Sequence, residues 1–383
     1  MNFYSDRRSY WALFFVVSLL VGCGDDAVRP PPAELQSFEP QIELDRVWKN
    51  SFGDGQDEQF LQFAPLLAGG TLYDLEYDGE IYAIDLESGD DLWDVDLDEP
   101  LVGGVGGDTQ QVFVTTFDGE LVALNAVDGA ELWRKAISAE VMAPATLFLD
   151  TVIVQTVDGK LAGYDRNDGE PKWEYRSTEP ALTLRGTSRP TVFQDAVITG
   201  MSNGAVVAVS ARNGQLFWEQ KIAVPKGKTE LERLVDVDGG VLLSDDAIYA
   251  VAYQGQLSRL NLFNGKPVWS IPVSSRTAPT AGFTNIYVST IEGDVVAYDR
   301  ETQTEIWKQS DLAYRELTAP VVWGNYIVVG DLEGYIHVLS QVDGAFVARI
   351  QPASEYIAVA PVIYDNKLIV TGSDGSVSAW EIR

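Results

Sequence analysis

The stretch DGEIYAIDLESGDDLW, residues 78–93, returns forty residues later as DGELVALNAVDGAELW, residues 118–133. Further copies read DGKLAGYDRNDGEPKW (158–173), NGAVVAVSARNGQLFW (203–218), QGQLSRLNLFNGKPVW (254–269) and EGDVVAYDRETQTEIW (292–307). Two copies are incomplete: EGYIHVLSQVDGAFVA (333–348) has Ala348 where Trp is expected, and DGSVSAWEIR (374–383) stops short of that position. The leading glycines, Gly79, Gly119, Gly159, Gly204, Gly255, Gly293, Gly334 and Gly375, are separated by 40, 40, 45, 51, 38, 41 and 41 residues. A period near 40 built from short strands is the length of a propeller blade.

Each part of the unit has a local reason. Asp-Gly or Asn-Gly between alternating apolar residues supplies the positive φ angles of a tight hairpin, so the first pair joins two strands. A second glycine ten residues on makes another turn in most copies, and the Trp lies in the strand after it. Ala64-Pro65, Ala143-Pro144, Arg189-Pro190, Ala278-Pro279, Ala319-Pro320 and Ala360-Pro361 each precede the first glycine by 14 or 15 residues. Proline lacks an amide donor and suits a strand start or a sheet edge, so it opens the innermost strand. Four antiparallel strands per blade result, with the Trp in the outermost.

Counting the units predicts how the ring closes. The eighth unit ends at Arg383 without an outer strand, and LDRVWKNSF near the N-terminus carries Trp48 with no blade of its own. Pairing the two gives an all-β, eight-bladed propeller over residues 41–383 whose last blade is closed by the N-terminal strand. Trp48, Trp93, Trp133, Trp173, Trp218, Trp269 and Trp307 occupy equivalent repeat positions, which makes them packing residues between blades. Gln303 stands in for the second glycine and Ala348 for Trp in single blades.

Upstream of the repeats, SLLVGCGDDAVRPPP holds Cys23, the only cysteine of 383 residues. Arg7 and Arg8 precede an apolar run from Trp11 to Val21 that ends in a lipobox, Leu20-Val21-Gly22-Cys23. Eleven residues fall short of the roughly 20 that span a bilayer as a helix, so residues 1–22 are expected to be a cleaved signal peptide. Cys23 is then consumed by a thioether to diacylglycerol, and the new amino terminus takes a further acyl chain such as palmitate. Several chains hold a protein on a membrane durably, whereas one does so marginally. Gly24 rather than Asp follows the cysteine, which favours the outer membrane over the inner. Residues 23–40, with RPPP inside, read as the lipidated cysteine and a semi-extended tether.

Composition narrows the partners and the chemistry. The 57 acidic and 27 basic residues give a net charge of −30, and a phosphate backbone is repelled, so no nucleic acid is expected. One histidine, His337, cannot make a multi-histidine metal site; it falls in the third strand of blade 7, aligned with Tyr82 and Val122. No GxSxG with a histidine partner and no GxxxxGK phosphate loop occurs. GGVGGD (103–108) precedes a strand rather than a helix and reads as inner-strand packing. Asp94, Asp96, Asp98 and Glu99 alternate with Val95 and Leu97 as the solvent face of an outer strand, where charge discourages edge pairing. No catalytic residue, metal or cofactor is assigned.

What distinguishes one blade from another is its loops. From Trp to the next inner strand the connections run 11, 10 and 13 residues at 133–144, 269–279 and 307–320, but 17 at 173–190 and 23 at 218 to about 241. The two long ones are adjacent in the ring. In a four-stranded meander they emerge on the face of the second-to-third hairpins, forming one raised patch. RSTEPALTLRGTSRP supplies Leu182, Leu184 and Arg185, and VPKGKTELERLVDVDGG supplies Asp236 and Asp238, which share a face by period two. An apolar anchor with polar surroundings is the composition of an interface centre. The alternative arrangement tucks the leucines under their own loop and pairs Arg185 with Asp236.

Two families resemble the chain. Eight Trp-bearing blades are similar to quinoprotein alcohol and glucose dehydrogenases, which implies a periplasmic enzyme holding pyrroloquinoline quinone on the propeller axis. Those enzymes have longer chains with covering loops, calcium ligands beside the cofactor and often a disulfide between adjacent cysteines; this sequence has no spare cysteine and no covering loops. Lipobox, proline tether, eight blades and the segments LTLRG and ERLVDVDGG together resemble the propeller lipoproteins of the outer-membrane β-barrel assembly machinery, over the whole mature chain. That resemblance implies a non-enzymatic scaffold, lipid-anchored on the periplasmic face of the outer membrane, that serves nascent outer-membrane proteins. It further implies that Leu182, Leu184, Arg185, Asp236 and Asp238 contact the periplasmic POTRA domains of a BamA-like central barrel subunit.

Overall fold

The computed structural model describes residues 30–53, 55, 61–178, 180, 182–183, 187–229, 231–245 and 247–383. Residues 1–22 and Cys23 therefore lie outside the described residues. Thirty-two strands, paired antiparallel, make eight four-stranded sheets among the described residues. Blade 1 runs outward as Leu66–Ala68, Thr71–Leu75, Glu80–Asp85 and Asp91–Asp96. Blades 2–7 repeat that order over 101–136, 146–176, 191–221, 241–272, 280–309 and 321–350. In blade 8 the strands Val362–Tyr364, Lys367–Thr371 and Ser376–Ile382 are completed by Leu44–Ser51, which pairs from Leu44↔Ile382 to Ser51↔Ser376. The fold is the eight-bladed propeller that the repeat predicts, closed by strands from both ends of the chain.

The prolines and glycines sit where the repeat requires them. Pro65, Pro190, Pro279, Pro320 and Pro361 immediately precede an inner strand, and Pro144 lies two residues ahead of one. The glycines of the second-to-third turns mostly have positive φ, as Gly119 (80°) and Gly204 (80°) show. GGVGGD forms most of the inner strand Leu101–Gly107, where Val105 N–H donates to Ala64 O at 3.0 Å. A Cβ on Gly104 would lie 2.4 Å from Ala64 O, and one on Gly106 2.2 Å from Ala145 O, so neighbouring inner strands approach backbone to backbone here.

The tryptophans join blade to blade. Trp93 Nε1 donates to Ala126 O at 3.0 Å, Trp133 to Arg166 O at 2.8 Å, Trp173 to Ala211 O at 3.0 Å and Trp307 to Gln341 O at 2.9 Å. Each acceptor lies three residues before the second glycine of the next blade. The indoles cover those glycines: a Cβ on Gly129 would come within 2.8 Å of Trp93 and one on Gly344 within 2.5 Å of Trp307. Within its own blade each Trp faces a small residue (Ala83, Ala123, Gly163, Ala208 or Ala297), with Arg259 opposite Trp269 as the exception. A bulge follows that pair and turns the indole toward the neighbour. Gln303 keeps the left-handed φ of 61° in place of a glycine.

Trp48 closes the ring in the same way, donating to Leu86 O at 3.2 Å above Gly89. The exception at Ala348 follows from this closure. Blade 8 is assembled from the two chain ends, so it has no third-to-outer hairpin and hence no glycine on which an indole from blade 7 would rest. Trp323, Trp380, Ile42, Leu44 and Ile382 fill the space instead.

Residues 32–40, expected as tether, run extended but against the propeller. Ala33 N–H donates to Ala313 O at 2.9 Å, Leu35 packs into the blade 6–7 core, Phe38 stacks on Phe346 with centroids 5.5 Å apart, and Gln41 N–H donates to Val347 O at 2.8 Å. The segment is a strap over the flank of blade 7.

Candidate functional site

Both insertions sit around the tip of blade 4, on the face that carries the second-to-third hairpins. Asn203 Nδ2 in that tip donates to Ser177 Oγ and Thr178 O of the first insertion, both at 3.0 Å. The second insertion lies on the other side: a Cβ on Gly200 would meet Val237 O at 2.1 Å, and one on Gly204 would meet Ala223 O at 2.7 Å. The two come together near the axis, where Gly240 faces Ser188 Oγ. Ser188 is buried and its Oγ accepts from Gly200 N–H at 3.2 Å, while in blade 3 Gln155 Nε2 donates to Gly200 O at 2.9 Å and Gln155 Oε1 accepts from Thr199 Oγ1 at 2.5 Å. These buried polar contacts fix the base of the patch, because each would be costly to leave unmade.

The second insertion has its own internal order. Thr229 Oγ1 accepts from Glu232 N–H at 3.2 Å, and the Glu232 carboxylate accepts from Lys228 N–H at 2.7 Å and Thr229 N–H at 3.2 Å. This reciprocal pattern is a capping box around a single turn, and it holds the Glu232 carboxyl below the usual range by those backbone hydrogen bonds. Downstream, Leu234, Val235, Asp236 and Val237 are all buried, and Asp236 bridges to Tyr253, whose N–H donates to Asp236 O at 2.8 Å.

The predicted site residues are placed as follows. Leu182 is 41% exposed, at the surface of the first insertion. Leu184 and Arg185 lie outside the described residues. Asp236 is 1% exposed, Asp238 half-buried and Val237 between them buried as well. Neighbouring chain covers both sides of this segment, including the blade 4 tip and the blade 5 turn that carries Tyr253. Two apolar residues that sequence reasoning passed over, Val224 (60% exposed) and Leu231 (68%), stand on the second insertion. Their signal was available: both are apolar in a stretch with no blade role.

His337 is not a metal ligand in this arrangement. It is fully buried, its Nε2 lies 2.8 Å from Asp331 Oδ2, and Arg349 Nε donates to its Nδ1 at 3.0 Å. Both ring nitrogens are engaged, and the neutral tautomer carries its proton on Nε2. Burial holds its pKa below the ordinary value, and the charges of Arg349 and Arg315 act the same way against the opposing Asp331. Among the described residues the carboxylates of Glu76, Asp78 and Glu80 cluster on the blade 1 tip, but Glu80 already accepts from Tyr82 and Glu76 from Gly55 N–H.

Behind that tip Asp74 lines a cleft between blades 1 and 8 with Phe52, Phe63, Glu76, Tyr82 and Val359. Its carboxyl is pushed up to about 7, first by burial and then by the Glu76 charge, against the Leu75 amide. The unfolded chain releases this proton near 3.8, so stability falls as pH rises from about 4 to 7 and stays reduced above. Asp74→Asn is expected to raise unfolding stability at pH 8 by on the order of 2–4 kcal/mol and to leave it nearly unchanged at pH 4. Denaturant titrations at the two pH values measure it, and an equal effect at both contradicts it.

Comparison with known proteins settles the family. A family model described as outer membrane protein assembly factor BamB matches residues 77–309 and 292–383. A protein named outer membrane protein assembly factor BamB from Pseudomonas aeruginosa is 50% identical over 373 residues, covering 97% of this chain and 98% of that relative. The chain belongs to the BamB family. The BamB of Marinobacter adhaerens is 42% identical over 98% of this chain and 97% of its own length. The crystal structure of BamB from Moraxella catarrhalis superposes with a TM-score of 0.82 at 29% identity, covering 88% of this chain and all of that one. The quinohemoprotein alcohol dehydrogenase of Comamonas testosteroni also superposes (TM-score 0.68), but at 14% identity the likeness is one of fold alone. The BamB relationship thus extends over the insertions as well as the blades.

Proposed function

We propose that the protein is a non-enzymatic scaffold of outer-membrane protein assembly. It is lipid-anchored at Cys23 on the periplasmic face of the outer membrane and docks through its two insertions onto the periplasmic domains of the central barrel subunit. The observation that carries this reading is the joining of both insertions around one blade tip, with Leu182, Val224 and Leu231 exposed on them. Exposed apolar groups on a rigid base are what a desolvating contact needs at its centre. In this reading Leu182, Leu184 and Arg185 touch the partner, Asp238 lines the edge of the contact, and buried Asp236 positions the loop. Clients of the machine are nascent outer-membrane proteins, which the scaffold helps to deliver or align.

Exchange of Arg185 for Glu is expected to abolish co-purification with the central barrel subunit and to leave the melting temperature unchanged. Retained binding overturns the docking site. Lost binding with a collapsed melting temperature assigns Arg185 to holding the loop and overturns its partner contact.

A further inference from the structure

The strap gives the tethered protein a direction. It begins beside Ala313, in the connection from blade 6 to blade 7, which lies on the same face as the two insertions. From there it descends the flank of blade 7 and enters the closing strand Leu44–Ser51 at the opposite face, where Leu44 pairs with Ile382. Two arginines grip it on the way down. Arg315 is 2% exposed; its Nη1 donates to Ala33 O at 2.9 Å, its Nε to Asp331 at 2.6 Å, and its other nitrogen to Glu333. Arg349 Nη1 donates to Gln36 O at 2.8 Å, and its guanidinium lies 5.0 Å from the ring centroids of both Phe38 and Phe346. Guanidinium groups already held by Asp331 and His337 are fixed donors, so the backbone carbonyls they meet are held without further ordering.

We propose that this strap makes the insertion-bearing face the membrane-proximal one. The inference rests on lipidation at Cys23. Pro32 lies nine residue steps after Cys23, and nine steps span at most about 30 Å. Were the strap free, the 21 residues from Cys23 to Leu44 would span about 70 Å and would leave from the opposite face. Docking the strap therefore more than halves the reach and moves the exit point to the face that carries the insertions. A partner approached by those insertions is then met close to the bilayer, with the scaffold already turned toward it.

The test uses the full lipidated chain in phosphatidylethanolamine–phosphatidylglycerol vesicles with an acceptor dye on the headgroups. Donor dyes go on single cysteines at two exposed positions of blade 6: Glu292→Cys on the insertion-bearing face and Phe283→Cys on the opposite face. Strands of five or six residues set the faces roughly 20 Å apart. Higher transfer is expected from position 292 than from 283. The Phe38→Ala/Arg349→Ala pair, which frees the strap and leaves Arg315 in place, is expected to shrink that difference. A ten-residue Gly-Ser insertion between Arg29 and Pro30, which touches no strap contact, is expected to shrink it too. Equal transfer in the parent protein that floats with vesicles overturns the orientation alone; failure to float overturns the lipidation reading and the orientation with it. An undiminished difference in the Gly-Ser variant also contradicts the proposal.

Discussion

Trp133→Ala is expected to cost about 3–5 kcal/mol of unfolding stability, the usual range for deleting a buried large aromatic. The indole is 9% exposed, packs against Phe113 at 5.9 Å between centroids, and donates to Arg166 O across the seam between blades 2 and 3. Its deletion therefore removes packing and leaves a seam carbonyl without its donor. Gly169→Ala should also destabilise, because its φ is 72° and a Cβ there would lie 2.8 Å from the indole. The two changes meet at one spot. Removing the indole makes room for the methyl group, so the double variant should lose less than the sum by about 1 kcal/mol or more. Denaturant titration of the four proteins measures the coupling. Strict additivity, or a loss below 1 kcal/mol for Trp133→Ala, contradicts an indole wedged between blades.

Arg315→Ala is expected to cost about 3–5 kcal/mol, because it strands a buried partner rather than removing a surface pair. Asp331 is fully buried and shares its carboxylate between Arg315, His337 and the amides of Glu333 and Tyr335. The same change at Arg134, which meets Glu99, Glu120 and Glu131 at the surface, should cost less than about 1 kcal/mol. The two arginines thus separate burial from the count of ion pairs. Titration adds a second readout. His337 has its pKa depressed by burial first, so its contribution to stability is full above its ordinary value and is lost as pH falls below it. Removing the nearby Arg315 charge eases that depression, so the variant should lose less stability on acidification than the parent. Equal costs at Arg315 and Arg134 contradict the buried network.

These two sites differ in how far they could be read from the sequence. The wedge is legible because it is local and repeated: the second glycine, the Trp four residues on, and the small residue facing the Trp recur at fixed offsets in most blades. Even the break at Ala348 has a sequence-level cause, since the eighth unit ends before its second glycine. The strap was not legible. Ala33, Leu35, Phe38 and Ile42 face the propeller at irregular spacing, and their partners Arg315, Phe346 and Arg349 lie about 300 residues away. Nothing within either segment predicts that pairing. The insertions fall between. Their length followed from the spacing between Trp and the next inner strand and their common face from strand parity, whereas the burial of Asp236 depends on chain folding over both sides of its segment, which alternation alone does not encode.

The central claim is that the patch joining the two insertions is where the scaffold meets its machine. A photo-crosslinking residue placed at Leu182 in living cells tests it most directly, with the same residue at Phe283 on the opposite face as the comparison. The account predicts a covalent adduct with the central barrel subunit from position 182 and none from 283. Adducts with that subunit from 283, or their absence from 182 while the protein is folded and on the membrane, would contradict it.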